Sequence, residues 1–538
     1  MEEKERQEVR GVEEDARRAS LDRDARELAR LGYRQVFERG MGAFSNFAIS
    51  FTIISILAGC LTSYFIAFSS GGPVAITWGW LLVGVMVTFV GIALGEIASS
   101  MPTAGSMYFW AAKLGGPVWG WFTGWINLIG VIAVTSAIDM GAAIFWNYLL
   151  NIWFGLSISH GTTFTIFTVI VVLHLLINLN KVWILGMLNS ISAVWHMVGV
   201  VVIVAALIFV PEYHQPASFV FGGTINATGF PGKDFSDPWF WFVFALGLLM
   251  AQYTITGFDA SAHLAEETRH AARSAAIGIV SSIVLSVIFG FILLVAVTFA
   301  VPANIQGVLD AGGNALPYIW EQALGSRWAG FLLFIACVAQ FFCGNAALAS
   351  ASRMLFAFSR DGAVPGKRLW RKIWQRNHVP GNAVIFCAVF AWALMIPTLA
   401  NGAIGYAVGT SVAVIGLYVS FAIPIFLRWR MGERFECGPW NTGGHYRWIC
   451  PLSFCWIGFI SILFMLPTSK AGVWFSQEFS WTSANYTPLT FGGVLLAIGC
   501  WWLLSARKWY TGPVREVGEE DLVLLERGEL TSTPDEES

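Results

Sequence analysis

Long apolar stretches separated by short polar connections make up most of this chain between residues 44 and 506. A helix needs about 20 apolar residues to cross a membrane, whereas the strands of a barrel alternate over about 10 residues. Because backbone groups in lipid must bond within their own segment, stretches of this length favour helices. The pattern therefore predicts an all-α polytopic membrane protein with twelve transmembrane helices, at about 44–69, 74–100, 117–148, 162–178, 187–210, 238–264, 275–301, 327–357, 382–400, 404–427, 449–467 and 488–506.

Positive charge is distributed unevenly between the connections. Lys and Arg concentrate on the cytoplasmic side of membrane proteins. With the N-terminus inside, the predicted inner segments hold 29 of the 32 Lys and Arg residues, and an odd number of spans would break this asymmetry. We therefore expect both termini in the cytoplasm, with a segment over 1–43, a membrane domain over 44–506 and an acidic tail over 507–538. The plasma membrane is the default location.

The composition of the chain argues against several classes of protein. Only 12% of the residues are charged, against about 25% in soluble domains, and the net charge of −2 offers no basic face for nucleic acid. The eight cysteines lack the spacing of a disulfide framework or zinc site, the eight histidines form no ligand cluster, and no Walker A motif is present. We expect no cofactor, no metal and no enzymatic activity. The oligomeric state stays open.

Two of the predicted spans carry glycine and hydroxyl residues at membrane depth. The first has Leu57, Ala58 and Gly59 in its middle, and the sixth has Thr256 and Gly257 near its inner end. A break in a helix frees N–H groups at one half-helix start and carbonyls at the other half-helix end, which attract a carboxylate and an amine respectively. Two such breaks together predict a receptor for a zwitterion.

The two interrupted spans lie five spans apart in the chain. This spacing indicates two five-helix repeats of opposite orientation, each opening with a broken helix. We place the repeats at about 44–210 and 238–427, followed by two extra helices at about 449–506. Asp259, which follows the break of the sixth span, is well placed to cap the inner half-helix.

Four parts of the sequence resemble a known family. The stretches are "GEIASSMPTAGSMYFWAAKLGGPVWGWFTGW" (95–125), "YTITGFDASAHLAEET" (253–268), "ASRMLFAFSRDGAVP" (351–365), and "CGPWNTG" (437–443) together with "ARKWYTGPV" (506–514). They are similar to the amino acid–polyamine–organocation (APC) superfamily, and the fourth to its amino acid/choline branch, which includes GABA permeases. The likeness runs from about residue 30 to 515.

The resemblance implies a LeuT-like fold with a 5+5 inverted repeat and two further helices. It implies that the substrate contacts the backbone of the two breaks, that Tyr253 is a gating aromatic, and that the substrate-facing part of span three includes two hydroxyls. Together with the residues at the breaks themselves, the expected substrate site comprises Leu57, Ala58, Gly59, Thr135, Ser136, Tyr253, Thr256, Gly257 and Phe258.

Three ionisable residues inside the spans are candidates for proton coupling or gating. Burial of such groups in a membrane has a high free-energy cost, and they are usually functional. Asp139 holds either a substrate ammonium group or a proton, or is a hydrogen-bonded structural acid. His196 lies where many superfamily members have a lysine, and the two interpretations are a coupling role and a packed side chain. Asp259 matches the usual Asp or Glu after Gly-Phe, and is either a helix cap and gate or a proton site.

These features favour a secondary active transporter that imports amino acids or related small amines, GABA-like, by alternating access with proton coupling rather than sodium coupling. A choline or other quaternary amine permease is an alternative, in which Tyr253 and Phe258 supply cation–π contacts and Asp139 the countercharge. A polyamine would require more acids than the membrane core has. A nutrient receptor that signals without transport is a further alternative.

Overall fold

Eleven helices in the described part of the chain are long and apolar enough to cross a membrane, which confirms a polytopic all-α architecture. The computed structural model describes residues 23–399, 402–518 and 520. The predicted terminal segments therefore lie partly outside the described residues, over 1–22, at 519 and over 521–538. The eleven helices are Ala43–Thr62, Pro73–Ser100, Pro117–Phe154, His160–Asn178, Val182–Phe209, Ala271–Phe299, Gly312–Arg360, Gly381–Leu399, Gly409–Arg434, Gly443–Leu463 and Thr487–Lys508.

Shorter pieces make up the individual elements. We number the α-helices and strands as follows: α1 Ala43–Ile54, α2 Gly59–Thr62, α3 Tyr64–Ser69, β1 Ser70–Gly71, α4 Pro73–Ser100, α5 Ser106–Gly115, α6 Pro117–Phe154, α7 His160–Asn178, α8 Val182–Phe209, α9 Ala217–Gly222, β2 Ile225–Asn226, α10 Pro238–Gly247, α11 Leu249–Thr254, α12 Ala260–His263, α13 Ala271–Phe299, α14 Ile305–Asp310, α15 Ala315–Arg360, α16 Lys367–Trp370, α17 Gly381–Leu394, α18 Gly402–Met431, α19 Tyr446–Leu463 and α20 Thr487–Leu504.

The sixth predicted span is absent from the eleven because it is divided into α10, α11 and α12. None of these pieces is long enough to cross a membrane alone, since a helix rises only about 1.5 Å per residue. The first predicted span is divided in the same way, into α1, α2 and α3. The total of twelve spans remains a prediction, and the two divided spans are the ones in which the sequence predicts breaks.

The packing of the long helices follows a pairwise pattern. The second span, α4, lies along the seventh, α13, and the third, α6, lies along the eighth, α15. The tenth span, α18, also packs against α6, and α1 packs against both α8 and α13. Pairing of equivalent spans is what two inverted repeats would produce, although the repeat boundaries remain a prediction.

Small elements fix the two ends of the helical bundle. At one end, β1 pairs antiparallel with β2, with Ser70 opposite Asn226. At the other end, the backbone N–H of Glu516 donates to the carbonyl of Gly32 at 2.7 Å. The described parts of the N-terminal and C-terminal segments therefore meet on the same face of the molecule.

Candidate substrate site

The first break lies at the residues that the sequence predicts. Helix α1 ends at Ile54, and Ser55 adopts φ 34° and ψ 80°, which lies outside the helical region. The carbonyl of Ser55 then accepts hydrogen bonds from the N–H groups of Ala58 and Gly59, both at 2.8 Å. The chain turns once and starts again as α2 at Gly59, so the first span has a half-helix end and a half-helix start at the same depth.

The second break lies between α11 and α12. Helix α11 ends at Thr254, and Gly257 adopts a left-handed φ of +85°, which glycine tolerates best. The carbonyls released here are partly satisfied by neighbouring helices: Tyr418 Oη donates to Ile255 O at 2.5 Å, and Ser50 Oγ donates to Phe258 O at 2.6 Å. The break is therefore held open by contacts from α18 and α1.

The two breaks pack directly against each other. A Cβ atom on Gly59 would lie 2.8 Å from Cγ2 of Thr254, and a Cβ atom on Gly257 would lie 2.2 Å from Cγ2 of Ile53. Both distances are shorter than two carbon atoms can approach, so any larger residue would push the two interrupted spans apart. Glycine permits the close approach at both positions, and at Gly257 it also permits the left-handed backbone.

A cavity lies between the breaks and the helices α6, α15 and α18. Four of the predicted site residues line it, namely Ala58, Gly59, Tyr253 and Thr256. The sequence did not single out the remaining lining residues, which are Ile53, Ile54, Thr62, Val134, Ala137, Ile138, Gly141, Thr254, Gln340, Cys343 and Tyr406. None of the described residues that line the cavity carries a charged side chain, so a charged ligand would meet backbone dipoles and neutral groups.

Two predicted hydroxyls of span three lie beside the cavity rather than in its lining. Thr135 Oγ1 donates to Val131 O at 3.0 Å and Ser136 Oγ donates to Ile132 O at 2.9 Å, both within α6. The face of α6 towards the cavity is formed by residues at helical spacing: Val134, Ala137, Ile138 and Gly141. A substrate role for the two hydroxyls remains a prediction.

Three further predicted residues also lie outside the lining. Leu57 approaches Gly199 of α8, where its Cδ1 lies 2.8 Å from the position a Cβ would take. The ring of Phe258 packs against Phe421, with centroids 5.2 Å apart, and Gly257 contacts Ile53. Their contribution is to the shape of the breaks, and contact with substrate remains a prediction for each.

His196 on α8 contacts the first break. Its Nδ1 lies 2.8 Å from the carbonyl of Ser192, which can only accept, so Nδ1 carries a proton and donates it. Its Nε2 lies 2.7 Å from Oγ of Ser55. The side chain is fully buried. A buried histidine on α8 therefore contacts Ser55, the residue at which the first span is interrupted.

Each of the two candidate acids pairs with a histidine that the sequence did not indicate as its partner. Asp139 Oδ1 lies 3.2 Å from Nδ1 of His174, and Asp259 Oδ2 lies 3.2 Å from Nε2 of His263. The second pair has a sequence signal, because the two residues are four apart on a helix. The first joins α6 to α7 and has none.

Asp259 does occupy the N-cap position of α12, but the predicted side-chain cap is wrong. The carboxylate makes no capping hydrogen bond, and the N–H groups of the short helix are satisfied by other means: Ser261 N donates to Ser50 Oγ at 2.9 Å. The pairing with His263 takes the place of the cap. Asp139 likewise lies outside the cavity lining, so a direct contact with a substrate ammonium group remains only a prediction.

Buried ion pairs close the molecule on the side where the chain ends meet. Arg353 Nε lies 2.7 Å from Oε1 of Glu267, and Arg360 Nη2 lies 3.0 Å from Oε1 of Glu266. Both glutamates lie in the 3-10 turn Ala265–Glu267 that comes after α12, and both arginines belong to α15. These pairs tie the sixth span to the eighth below the breaks, and all four side chains are almost completely buried.

The N-terminal and C-terminal segments add a second layer to this closure. Tyr33 Oη donates to Asp361 Oδ2 at 2.7 Å, and Val514 N donates to Asp361 Oδ1 at 3.0 Å. Burial raises the pKa of the Asp361 carboxyl above its ordinary value, although Arg360 acts in the opposite direction. The guanidinium of Arg39 also bonds the carbonyls of Ala265 and Thr268 beside α12. Within the described residues, no three His, Cys, Asp or Glu side chains come together as metal ligands.

Comparison with known proteins agrees with this geometry. The amino acid permease family model matches residues 41–495. An amino-acid permease BAT1 homologue of Oryza sativa subsp. japonica is 36% identical over 508 residues, which cover 90% of this chain and 95% of that protein. The chain belongs to the amino acid permease family.

Other relatives of this permease come from plants and fungi. The amino-acid permease BAT1 of Arabidopsis thaliana is 35% identical over 91% of this chain and 96% of that protein. The GABA-specific permease of Saccharomyces cerevisiae is 27% identical over 92% of this chain and 86% of that protein. Similarity along the whole membrane domain supports an integral multi-pass transporter of amino acids within the APC superfamily, as the sequence motifs indicate.

Proposed function

We propose that this permease imports amino acids and GABA-like small amines as zwitterions, in symport with protons, by alternating access across the plasma membrane. The observation that carries the proposal is the pair of interrupted helices that meet across a cavity without charged lining residues. At α2 a helix start presents N–H dipoles, and at α11 a helix end presents carbonyls. These opposite partial charges suit a carboxylate and an ammonium group on one small molecule.

The neutral lining favours a zwitterion over a substrate with a net charge. A polyamine or choline would bring positive charge into the cavity without a carboxylate to balance it. Asp139, an acid on the cavity-lining helix α6, is paired with His174 and lies outside the lining. Burial of an unpaired charge is strongly unfavourable. The name of the yeast relative, a GABA-specific permease, supports a zwitterionic amine among the substrates.

The asymmetry of the cavity supports alternating access. Towards the chain ends it is sealed by the Arg353–Glu267 and Arg360–Glu266 pairs. Towards α3, its lining residues Thr62 and Tyr406 are only half-buried. With both termini in the cytoplasm, as the charge distribution predicts, the sealed side is the inner gate. Transport would then require the divided first and sixth spans to move against the scaffold of α6, α8, α15 and α18.

Proton coupling has physical support in the buried histidines. His196 holds the first break through Ser55, and His263 lies beside the second break through Asp259. A proton gained or lost at either histidine would change a hydrogen bond at the element that must move.

Uptake by the purified permease in liposomes tests the proposal. Labelled GABA, labelled choline and a panel of labelled amino acids are supplied with an inward proton gradient, with an inward sodium gradient, and with neither. Empty liposomes are the control. Uptake that the proton gradient stimulates and unlabelled amino acids block would support the proposal. Uptake of choline alone would move the substrate to quaternary amines, and binding of amino acids without any uptake would support a receptor.

A further inference from the structure

One side-chain amide in the cavity lining has no hydrogen-bond partner among the described residues. Gln340 lies on α15, is only 1% exposed, and faces the cavity. Neither its Oε1 nor its Nε2 atom has a hydrogen-bond partner among the described residues. Buried amides are nearly always hydrogen-bonded, because an unsatisfied buried donor or acceptor is costly. This amide therefore needs a partner that the folded chain does not supply.

The neighbouring groups of α15 and α6 make no hydrogen bond to the Gln340 amide. Cys343, one turn further along α15, already donates from Sγ to Ile53 O at 3.2 Å. The facing part of α6 contributes Val134, Ala137 and Ile138, whose side chains are apolar. On the side of the cavity formed by α6 and α15, the amide lies among apolar side chains and the Cys343 thiol. The hydroxyls of the lining belong to the two interrupted spans and to α18, namely Thr62, Tyr253, Thr254, Thr256 and Tyr406.

We propose that Gln340 is a specificity-determining residue that hydrogen-bonds an uncharged polar side chain of the substrate, such as the carboxamide of glutamine or asparagine. The inference rests on the proposed function, because it assigns the other end of the same site. The two breaks hold the ammonium and carboxylate groups common to all amino acids. The Gln340 amide offers one acceptor and two donors to whatever side chain extends towards α15.

Chemistry distinguishes this class of side chain from its competitors. A carboxamide satisfies both ends of the Gln340 amide at once, because it also has a donor and an acceptor. An aliphatic side chain would leave both ends unsatisfied. A charged side chain would meet no opposite charge in the lining. Sites built to hydrogen-bond a substrate group discriminate strongly against analogues that lack it.

The test compares uptake of glutamine with uptake of methionine, which has a similar length and no amide. We expect the parent to favour glutamine, and Gln340→Met to reduce the glutamine-to-methionine ratio of uptake efficiency by about 10-fold or more. Gln340→Asn, which keeps the amide on a shorter side chain, should give an intermediate ratio. Gln252→Met is the matched control, because Gln252 is a buried glutamine outside the cavity lining.

The outcomes separate this inference from the proposed function. An unchanged ratio in Gln340→Met, or an equal loss for both amino acids in both Gln340 variants, would overturn the specificity role. Efficient uptake of GABA or aliphatic amino acids by the parent, without uptake of glutamine, would overturn it too and leave the proposed function standing. If the parent transports no amino acid at all, it is the proposed function that fails.

Discussion

Nε2 of His196 lies 2.7 Å from Oγ of Ser55, the residue at which the first membrane span is interrupted. Because Nδ1 already donates to Ser192 O, the neutral imidazole accepts the Ser55 hydroxyl at Nε2. Protonation of Nε2 would convert this acceptor into a donor. The contact between His196 and Ser55 would then have to rearrange. In the proposed mechanism, protonation would in this way change the position of the divided first span.

Replacement of His196 should uncouple transport from the proton gradient. We expect His196→Ala to lose most of the stimulation of uptake by an inward proton gradient, while substrate affinity changes much less, because His196 does not line the cavity. The measurement is uptake and equilibrium binding over a range of pH. His445→Ala, at an exposed histidine, is the control. The same pH dependence in His196→Ala and the parent would remove the coupling role.

The buried pair of Asp139 and His174 leaves no room for a side chain at Gly344. A Cβ atom there would lie 1.8 Å from Asp139 Oδ1 and 2.8 Å from Cε1 of His174. We expect Gly344→Ala to lower the free energy of unfolding by about 1–3 kcal/mol, as overpacking of a tight core does. Thermal unfolding in detergent measures this.

The control for that variant is Gly458→Ala, since a Cβ at Gly458 would meet nothing within 4 Å. It should be neutral or slightly stabilising, by up to about 1 kcal/mol. Equal thermal stability of the Gly344 variant and the parent would show that Asp139 and His174 are free to move apart.

The proposed inner gate should weaken when one of its buried ion pairs is broken. Glu267→Gln leaves the Arg353 guanidinium buried without its countercharge, which is strongly unfavourable in the closed gate. We expect the variant to populate an inward-open state and to expose Cys343, a cavity residue, to a water-soluble maleimide. Mass spectrometry of the peptide that contains Cys343 gives the rate of labelling.

A matched control exists on the surface. Glu433 pairs with Arg447 at 2.8 Å, but the side chains are 81% and 67% exposed, so this pair contributes little to stability. Glu433→Gln should leave the labelling rate of Cys343 unchanged. If both variants label Cys343 at the rate of the parent, the buried pair is not the gate.

The contact between the terminal segments and Asp361 should depend on pH. Because burial raises the pKa of Asp361 in the folded protein, its carboxyl contributes most to stability below the ordinary aspartate pKa of about 3.9. This contribution is lost as the pH rises through the higher folded pKa. Asp361→Asn removes the titrating group, so its melting temperature relative to the parent should increase as the pH rises. A constant difference between pH 4 and pH 8 would contradict this.

The breaks were predictable from sequence because glycine and hydroxyl residues at membrane depth are a local signal. The presence of Gln340 and Tyr406 in the cavity lining was not predictable from sequence. Each belongs to a helix far from the breaks along the chain, and only tertiary packing brings it to the cavity. The face of α6 was also unpredictable. That helix is apolar and buried on nearly every side, so its sequence has no amphipathic pattern to show that Val134 and Ala137, rather than Thr135 and Ser136, line the cavity.

Binding of a labelled amino acid to Gly257→Val tests most directly whether the backbone of the two breaks forms the substrate site. The ligand is the amino acid that the parent takes up best, measured at equilibrium in detergent with Gly458→Val as control. A Cβ at Gly257 would lie 2.2 Å from Ile53 Cγ2, so we predict that the variant folds but loses at least about 10-fold in affinity. Affinity equal to that of the parent and the control would place the substrate site elsewhere in the protein.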